Sequence, residues 1–237
     1  MKAFFYVCTM GKLLKIGHRG AKGSVAENTL ASFQKAIDFG CDGIEIDVHL
    51  SADGEIIVIH DETVDRTSNG KGFVKELSLP QLKKMRINGN HEIPTLAEVF
   101  DQANKNYLIN IEIKVETAAK PVVRLIEKYV AKNDWKYNHF LVSSFDWNAL
   151  KAIREANPEI PLGVLTETDL DLAIGFAEFI KAETIHPHFH LLTLENVAQM
   201  QNKGLQVFPW TVNEHADIER IKSFKTNGII TDFPERI

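Results

Sequence analysis

Short apolar runs alternate along this chain with stretches whose apolar positions recur every three or four residues. The short runs predict strands at 13–17, 43–48, 107–113, 140–144, 162–165, 184–187, 205–210 and 228–231. The amphipathic stretches predict helices between them at 29–39, 96–103, 121–131, 147–156, 170–179, 194–202 and 215–223. Gly40, Gly204 and Gly228 stand where the chain leaves a helix for a strand, positions that favour a left-handed residue. Asn28 or Thr29 supplies the cap of the first helix, with Glu27 favourable beside its N-terminus.

Eight strands alternating with helices predict an α/β fold of the TIM (β/α)8 barrel type, a closed parallel sheet, over an open doubly wound one. An open dinucleotide-binding sheet would show a glycine-rich loop after its first strand, and Gly17-His18-Arg19-Gly20 does not match it. The interval from about 49 to 94 breaks the rhythm and is too long for a structureless loop. It holds a strand candidate at 55–59, the turn-like Ser68-Asn69-Gly70-Lys71-Gly72 and a short helix candidate at 79–85. We read it as a small insertion on the barrel mouth, between the second strand and the barrel helix that follows. Residues 13–237 then make one domain, preceded by an extension at 1–12.

The 237 residues suit one barrel, and 44% hydrophobic content suffices for a sizeable core. A net charge of -5, from 27 basic and 32 acidic residues, gives no global field toward nucleic acid or anionic lipid. An anionic substrate would therefore need local positive charge. Only Cys8 and Cys41 are present, too few for a disulfide framework, so a reducing cytoplasm is the simpler setting. The first residues have one lysine and a brief apolar run without a full export signal; a truncated or unusual signal is the minority reading. No stretch reaches the length of a membrane span. A free barrel face would permit a homodimer, but no stripe identifies one.

The chemistry collects at predicted strand ends. Glu45 and Asp47 are two apart on a strand and share a face, with Ile44, Ile46 and Val48 on the other. Glu112 and Lys114 repeat the pattern on the third strand. In a parallel barrel such residues converge at the C-terminal mouth, and three carboxylates meeting there repel one another unless a cation lies between them. One hard divalent ion, Mg2+ or Ca2+, answers that need. Any one acid alone reads more simply as a surface group or an ion pair, and Lys114 would neutralise Glu112 in that reading. His18 ends the first strand and His60 the strand inside the insertion, a plausible acid/base pair. Arg19 has the planar fork that fits phosphate or carboxylate oxygens. Trp210 either walls a substrate or closes the barrel.

Taken in order, His18-Arg19-Gly20, Glu27-Asn28-Thr29, Glu45-Ile46-Asp47, His60-Asp61 with Asp65-Arg66-Thr67, Pro94-Thr95-Leu96, Glu112-Ile113-Lys114, Trp210-Thr211-Val212-Asn213 and Thr231-Asp232 resemble the glycerophosphodiester phosphodiesterase family. The match runs from Ile16 to Pro234, and its specificity lies in the ordered set. The resemblance implies a metal on Glu45, Asp47 and Glu112, a catalytic pair at His18 and His60, and phosphate held by Arg19 and Lys114. It also implies a small-molecule substrate cleaved to glycerol 3-phosphate and an alcohol, with Glu27, Asn28 and Asp61 in support and Trp210 beside the substrate. Two rivals stand beside it. One is a phosphodiesterase of the same superfamily acting on lysophospholipids or sphingolipids, which would call for an apolar rim; the mostly polar insertion offers only Phe73. The other is a non-enzymatic anion-binding barrel, which would have lost a histidine or an acid.

Overall fold

Strands buried on both faces select β-branched and other apolar side chains throughout, and the two central strands of this chain, Gly43–Leu50 and Leu108–Ile113, are buried along nearly their whole length. The computed structural model describes residues 12–103, 105, 107–132 and 134–237. The predicted extension and its export-signal reading therefore fall, but for Lys12, outside the described residues.

Eight parallel strands form a nearly closed barrel. They are β1 (Leu14–His18), β2 (Gly43–Leu50), β4 (Leu108–Ile113), β5 (Phe140–Ser144), β6 (Leu162–Thr166), β7 (Thr184–Pro187), β8 (Gln206–Val207) and β9 (Gly228–Thr231). A short ninth strand, β3 (Ile56–Val58), pairs antiparallel with the end of β2. Hydrogen-bonded order runs β8-β7-β6-β5-β4-β2-β1-β9. Between β8 and β9 the ring is closed by single bonds, Asn227 N–H to Val207 O at 3.1 Å and Ile230 N–H to Pro209 O at 3.0 Å. The strand expected at 205–210 is thus only two residues long by ladder pairing. Pro209 lacks an N–H to continue it, and Trp210 rejoins β7 through one bridge to His188.

The barrel helices are α1 (Leu30–Asp38), α3 (Leu96–Gln102), α4 (Ala119–Lys132), α5 (Trp147–Ala156), α6 (Leu170–Ile180), α7 (Leu194–Asn202) and α8 (His215–Ser223). Their apolar stripes and the outward faces of the strands form one continuous core, including Ile44, Ile46, Val48, Ile109, Ile111 and Ile113. A smaller cluster inside the barrel joins Leu14, Ile16, Leu108, Leu141, Phe208 and Ile230. Thr29 caps α1 by accepting from Ser32 N–H at 3.1 Å, which leaves the Asn28 side chain free for another partner. Gly40 and Gly204 are left-handed, with φ of 73° and 83°. Gly228 is not; Lys225 takes the left-handed turn with φ of 58°. Gly228 is constrained instead by packing, since a Cβ there would lie 3.1 Å from the Phe208 ring.

The insertion has β3, the short helix α2 (Leu79–Leu82), and its own apolar cluster of Ile57, Ile59, Val64, Leu82, Ile87 and Ile93. These elements are shorter than expected at 55–59 and 79–85, although Ile59 and Met85 still pack on that core beyond their ends. Ile59 N–H donates to Asp47 O at 3.0 Å, so His60, within the insertion, lies beside the end of β2.

Candidate active site

Strand register decides which side chains meet. β1 and β2 pair with His18 level with Glu45, while β2 and β4 pair with Asp47 level with Glu112. Residues two apart share a face, so Glu45, Asp47 and Glu112 project together toward the mouth formed by the strands' C-terminal ends. All three are buried, and a carboxylate oxygen from each lies within 4.8 Å of the others.

Two cations and an amide offset this charge. Asp47 lies 3.2 Å from Arg19 Nε through Oδ2 and 3.2 Å from Lys114 Nζ through Oδ1, and its Oδ2 accepts from Asn28 Nδ2 at 2.8 Å. Lys114 also pairs with Glu112. Burial pushes the Asp47 carboxyl up, but Lys114 and Arg19 outweigh it and hold it at about 2. Burial and then Asp47 push Glu112 up to about 7, and burial with Asp47 and Glu112 raises Glu45 well above the ordinary range. Two cations are therefore too few for three acids. Glu45 Oε1 is buried without a hydrogen-bond partner in the protein. A set of hard oxygen donors carrying excess negative charge and an unpaired inward oxygen fits a divalent cation.

The loop after β1 delivers the positive side. Arg19 and Asn28 both have left-handed backbones, φ 51° and 55°. Arg19 N–H donates to Glu45 Oε2 at 3.0 Å, Asn28 N–H donates to Arg19 O at 3.1 Å, and Arg19 Nη1 donates to Glu27 Oε1 at 2.8 Å. These bonds hold two unfavourable conformations that aim a guanidinium and an amide at Asp47.

Each histidine carries its own acid. His18 Nδ1 is 2.6 Å from Asp232 Oδ1, and His60 Nδ1 is 2.7 Å from Asp61 Oδ1. Asp232 is held in turn by Asn213 Nδ2 at 2.9 Å, and Asp61 by Arg66 Nε at 2.6 Å. Burial lowers both imidazoles despite these carboxylates. In that neutral form each donates Nδ1–H to its acid and leaves Nε2 free. A small cavity lined by His18, Glu45, Glu112, Leu165, His186 and Trp210 adjoins the acids.

The model of the glycerophosphoryl diester phosphodiesterase family matches residues 18–236. The chain belongs to this family. A glycerophosphodiester phosphodiesterase of Caldanaerobacter subterraneus is 39% identical over 95% of this chain and 96% of its own. Among solved structures, an Oleispira antarctica phosphodiesterase in complex with the product sn-glycerol-3-phosphate superposes with a TM-score of 0.85 at 26% identity, covering 94% of each chain. A glycerophosphodiester phosphodiesterase of Thermotoga maritima gives 0.81 at 29% identity, covering 94% of this chain and 96% of that one.

As a member of the glycerophosphodiester phosphodiesterases, the chain is a phosphoric diester hydrolase of a family generally dependent on a divalent metal. The residues expected to act together lie in one neighbourhood: Glu45, Asp47, Glu112, Lys114, Arg19, Asn28 and His18 in direct contact, Glu27 one contact further out on Arg19, His60 beside the end of β2, and Asp61 bonded to His60. Trp210 lines the cavity beside the acids, and its Nε1–H donates to His186 O at 2.8 Å. Asp232, Asn213 and Arg66 join the site without having been assigned a role from the sequence. For Asp232 the available signal was its place directly after the last strand, level with the other acids.

His186 lies below this layer, fully buried, with Nε2 2.8 Å from Thr184 Oγ1. Burial holds its imidazole down to about 3. Because the folded value is below the unfolded one, near 6.5, His186 favours folding above about pH 6.5 and progressively disfavours it as pH falls toward 3. His186→Gln removes that dependence. Chemical denaturation at pH 7.5 and pH 5 should show the stability gap between wild type and variant shift by about 2 kcal/mol in favour of the variant at the lower pH.

Proposed function

We propose that the protein hydrolyses glycerophosphodiesters to sn-glycerol 3-phosphate and a free alcohol, with one Mg2+ or Ca2+ on Glu45, Asp47 and Glu112 and proton transfer by His18 and His60. The observation that carries this reading is the meeting of three buried carboxylates, two buried or half-buried cations and two histidine–aspartate pairs at one end of the barrel. The product bound to the Oleispira relative supports the glycerol 3-phosphate half.

A phosphodiester resists attack because its anionic oxygens repel nucleophiles. A divalent ion bound to the three acids would withdraw charge from those oxygens. Arg19 and Lys114 bind them from either side of Asp47, which fixes both cations in place before substrate arrives. An attacking hydroxyl, from water or the neighbouring glycerol carbon, loses its proton to Nε2 of one histidine as its oxygen bonds to phosphorus. The P–O bond to the alcohol breaks, and the other histidine, having taken up a proton at Nε2 from solvent, gives it to the departing alkoxide; where the glycerol hydroxyl attacked, water then opens the cyclic phosphate to glycerol 3-phosphate. Asp232 and Asp61 hold each ring and stabilise its charged form. Trp210 packs against the apolar face of glycerol. Among the described residues no helix is long and apolar enough to cross a membrane. We assign the enzyme to the cytoplasm, which suits the buried free thiol of Cys41.

A lipid-directed reading draws on Phe145, 43% exposed on the rim with its ring 5.4 Å from that of Trp210. Two exposed rings, Phe145 and Phe73 of the mostly polar insertion, make a small apolar surface for a lipid. Coupled oxidation of released glycerol 3-phosphate distinguishes the two: glycerophosphocholine and glycerophosphoethanolamine should be cleaved at least about tenfold more efficiently than a lysophospholipid. The reverse order would favour the lipid substrate.

A further inference from the structure

Arg66 belongs to the insertion, and its guanidinium grips two carboxylates at once. Nε and Nη2 donate to Asp61 at 2.6 and 3.0 Å, while Nη1 and Nη2 donate to Glu27 at 3.1 and 2.7 Å. Asp61 is the partner of His60, and Glu27 is the partner of Arg19. An unbroken chain of hydrogen bonds therefore runs His60–Asp61–Arg66–Glu27–Arg19 across the boundary between insertion and barrel.

The two histidine–aspartate pairs differ in how they are anchored. Asp232 follows a barrel strand and accepts from Asn213, which also receives the Asp232 backbone N–H at 2.9 Å. Asp61 lies on the insertion, whose core is separate from the barrel's. Its side-chain link to the barrel passes through Arg66 and Glu27. A carboxylate with that much rotational freedom holds an imidazole only if something holds the carboxylate, and a bidentate guanidinium does so in both distance and plane. A lysine at this position is a point charge and cannot span both acids.

We propose that Arg66 is a positioning residue, setting the His60–Asp61 pair in register with the Arg19–Glu27 pair so that one proton carrier and the phosphate clamp act as a unit. It touches no reacting atom. The inference rests on the reading of His60 as a proton carrier. Misplacing such a group by about 1 Å costs on the order of a hundredfold in rate.

Four single variants, and Arg66→Met combined with His60→Ala or Glu27→Gln, test it, measured as kcat and KM for glycerophosphocholine with melting temperature alongside. Arg66→Met should lower kcat about 10- to 100-fold with a smaller change in KM, and Arg66→Lys should restore only part of that loss. In a His60→Ala background the same Arg66→Met change should cost less than about threefold, because the group it positions is gone. In a Glu27→Gln background its cost should also shrink. Equal cost of Arg66→Met in all backgrounds, a loss tracking only the melting temperature, or full rescue by lysine would overturn the positioning role. If Arg66→Met does not fold, Arg66→Lys carries the same comparison. Full activity of His60→Ala alone would instead remove the proton-carrier reading, so the two failures are separable.

Discussion

Asp47→Asn is expected to lower kcat/KM about a thousandfold or more while leaving the barrel folded. Asp47 is the hub of the site: Arg19 and Lys114 lie 3.2 Å away on its two oxygens and Asn28 donates to it at 2.8 Å. Asparagine keeps the shape but removes the negative charge, so under the proposed function the ion, Arg19 and Lys114 lose their common anchor. Stability responds with the opposite sign at two neighbouring acids. Asp47, held at about 2 against an ordinary 3.8, favours folding above that ordinary value, and Asp47→Asn should lower the melting temperature at neutral pH. Glu112, pushed up to about 7 from 4.5, disfavours folding increasingly as pH rises through that interval. Glu112→Gln should therefore hold or raise the melting temperature of the metal-free protein while still abolishing turnover. Melting curves at neutral pH beside steady-state rates check both halves, and a destabilised Glu112→Gln would contradict the excess-charge account.

His18→Ala is the second large effect, an expected fall in kcat of about 100- to 10,000-fold with KM changed only a few-fold. The ring is half-buried, lowered in pKa by desolvation, and fixed by Asp232 at 2.6 Å, with Nε2 3.9 Å from Glu45. Asp232→Asn keeps the shape beside Nδ1 but not the charge that stabilises the protonated ring, and should fall between wild type and His18→Ala. Metal content measured on each variant separates the histidine's role from loss of the ion: it should stay at the wild-type level in His18→Ala.

Legibility of the site followed from how local each physical signal is. The acids of β2 and β4 were readable because a period of two, with isoleucines filling the alternate positions, leaves one face for Glu45, Asp47 and Glu112. Pairing register then had to bring those faces level, and Asp47 does lie opposite Glu112. The eight-strand count followed from hydrophobic rhythm, whereas the length of β8 did not, because Pro209 and the seam to β9 depend on how the ring closes. Choice between Asn28 and Thr29 as cap was settled by Asp47, a residue with no local sequence relation to either. Asp232 and Arg66 are reached only through contacts spanning 214 and 39 residues, and no periodicity encodes such distances. The insertion was visible as a broken rhythm; its grip on the barrel through Glu27 was not.

The central claim is that the three buried acids hold a divalent ion that turnover requires. Its most direct measurement is glycerol 3-phosphate release from glycerophosphocholine by purified protein stripped with chelator, then titrated with Mg2+ or Ca2+ while bound metal is counted. Activity should vanish on stripping and return in proportion to about one ion bound per chain, with no return in Asp47→Asn. Undiminished release from protein shown to be metal-free would contradict the account.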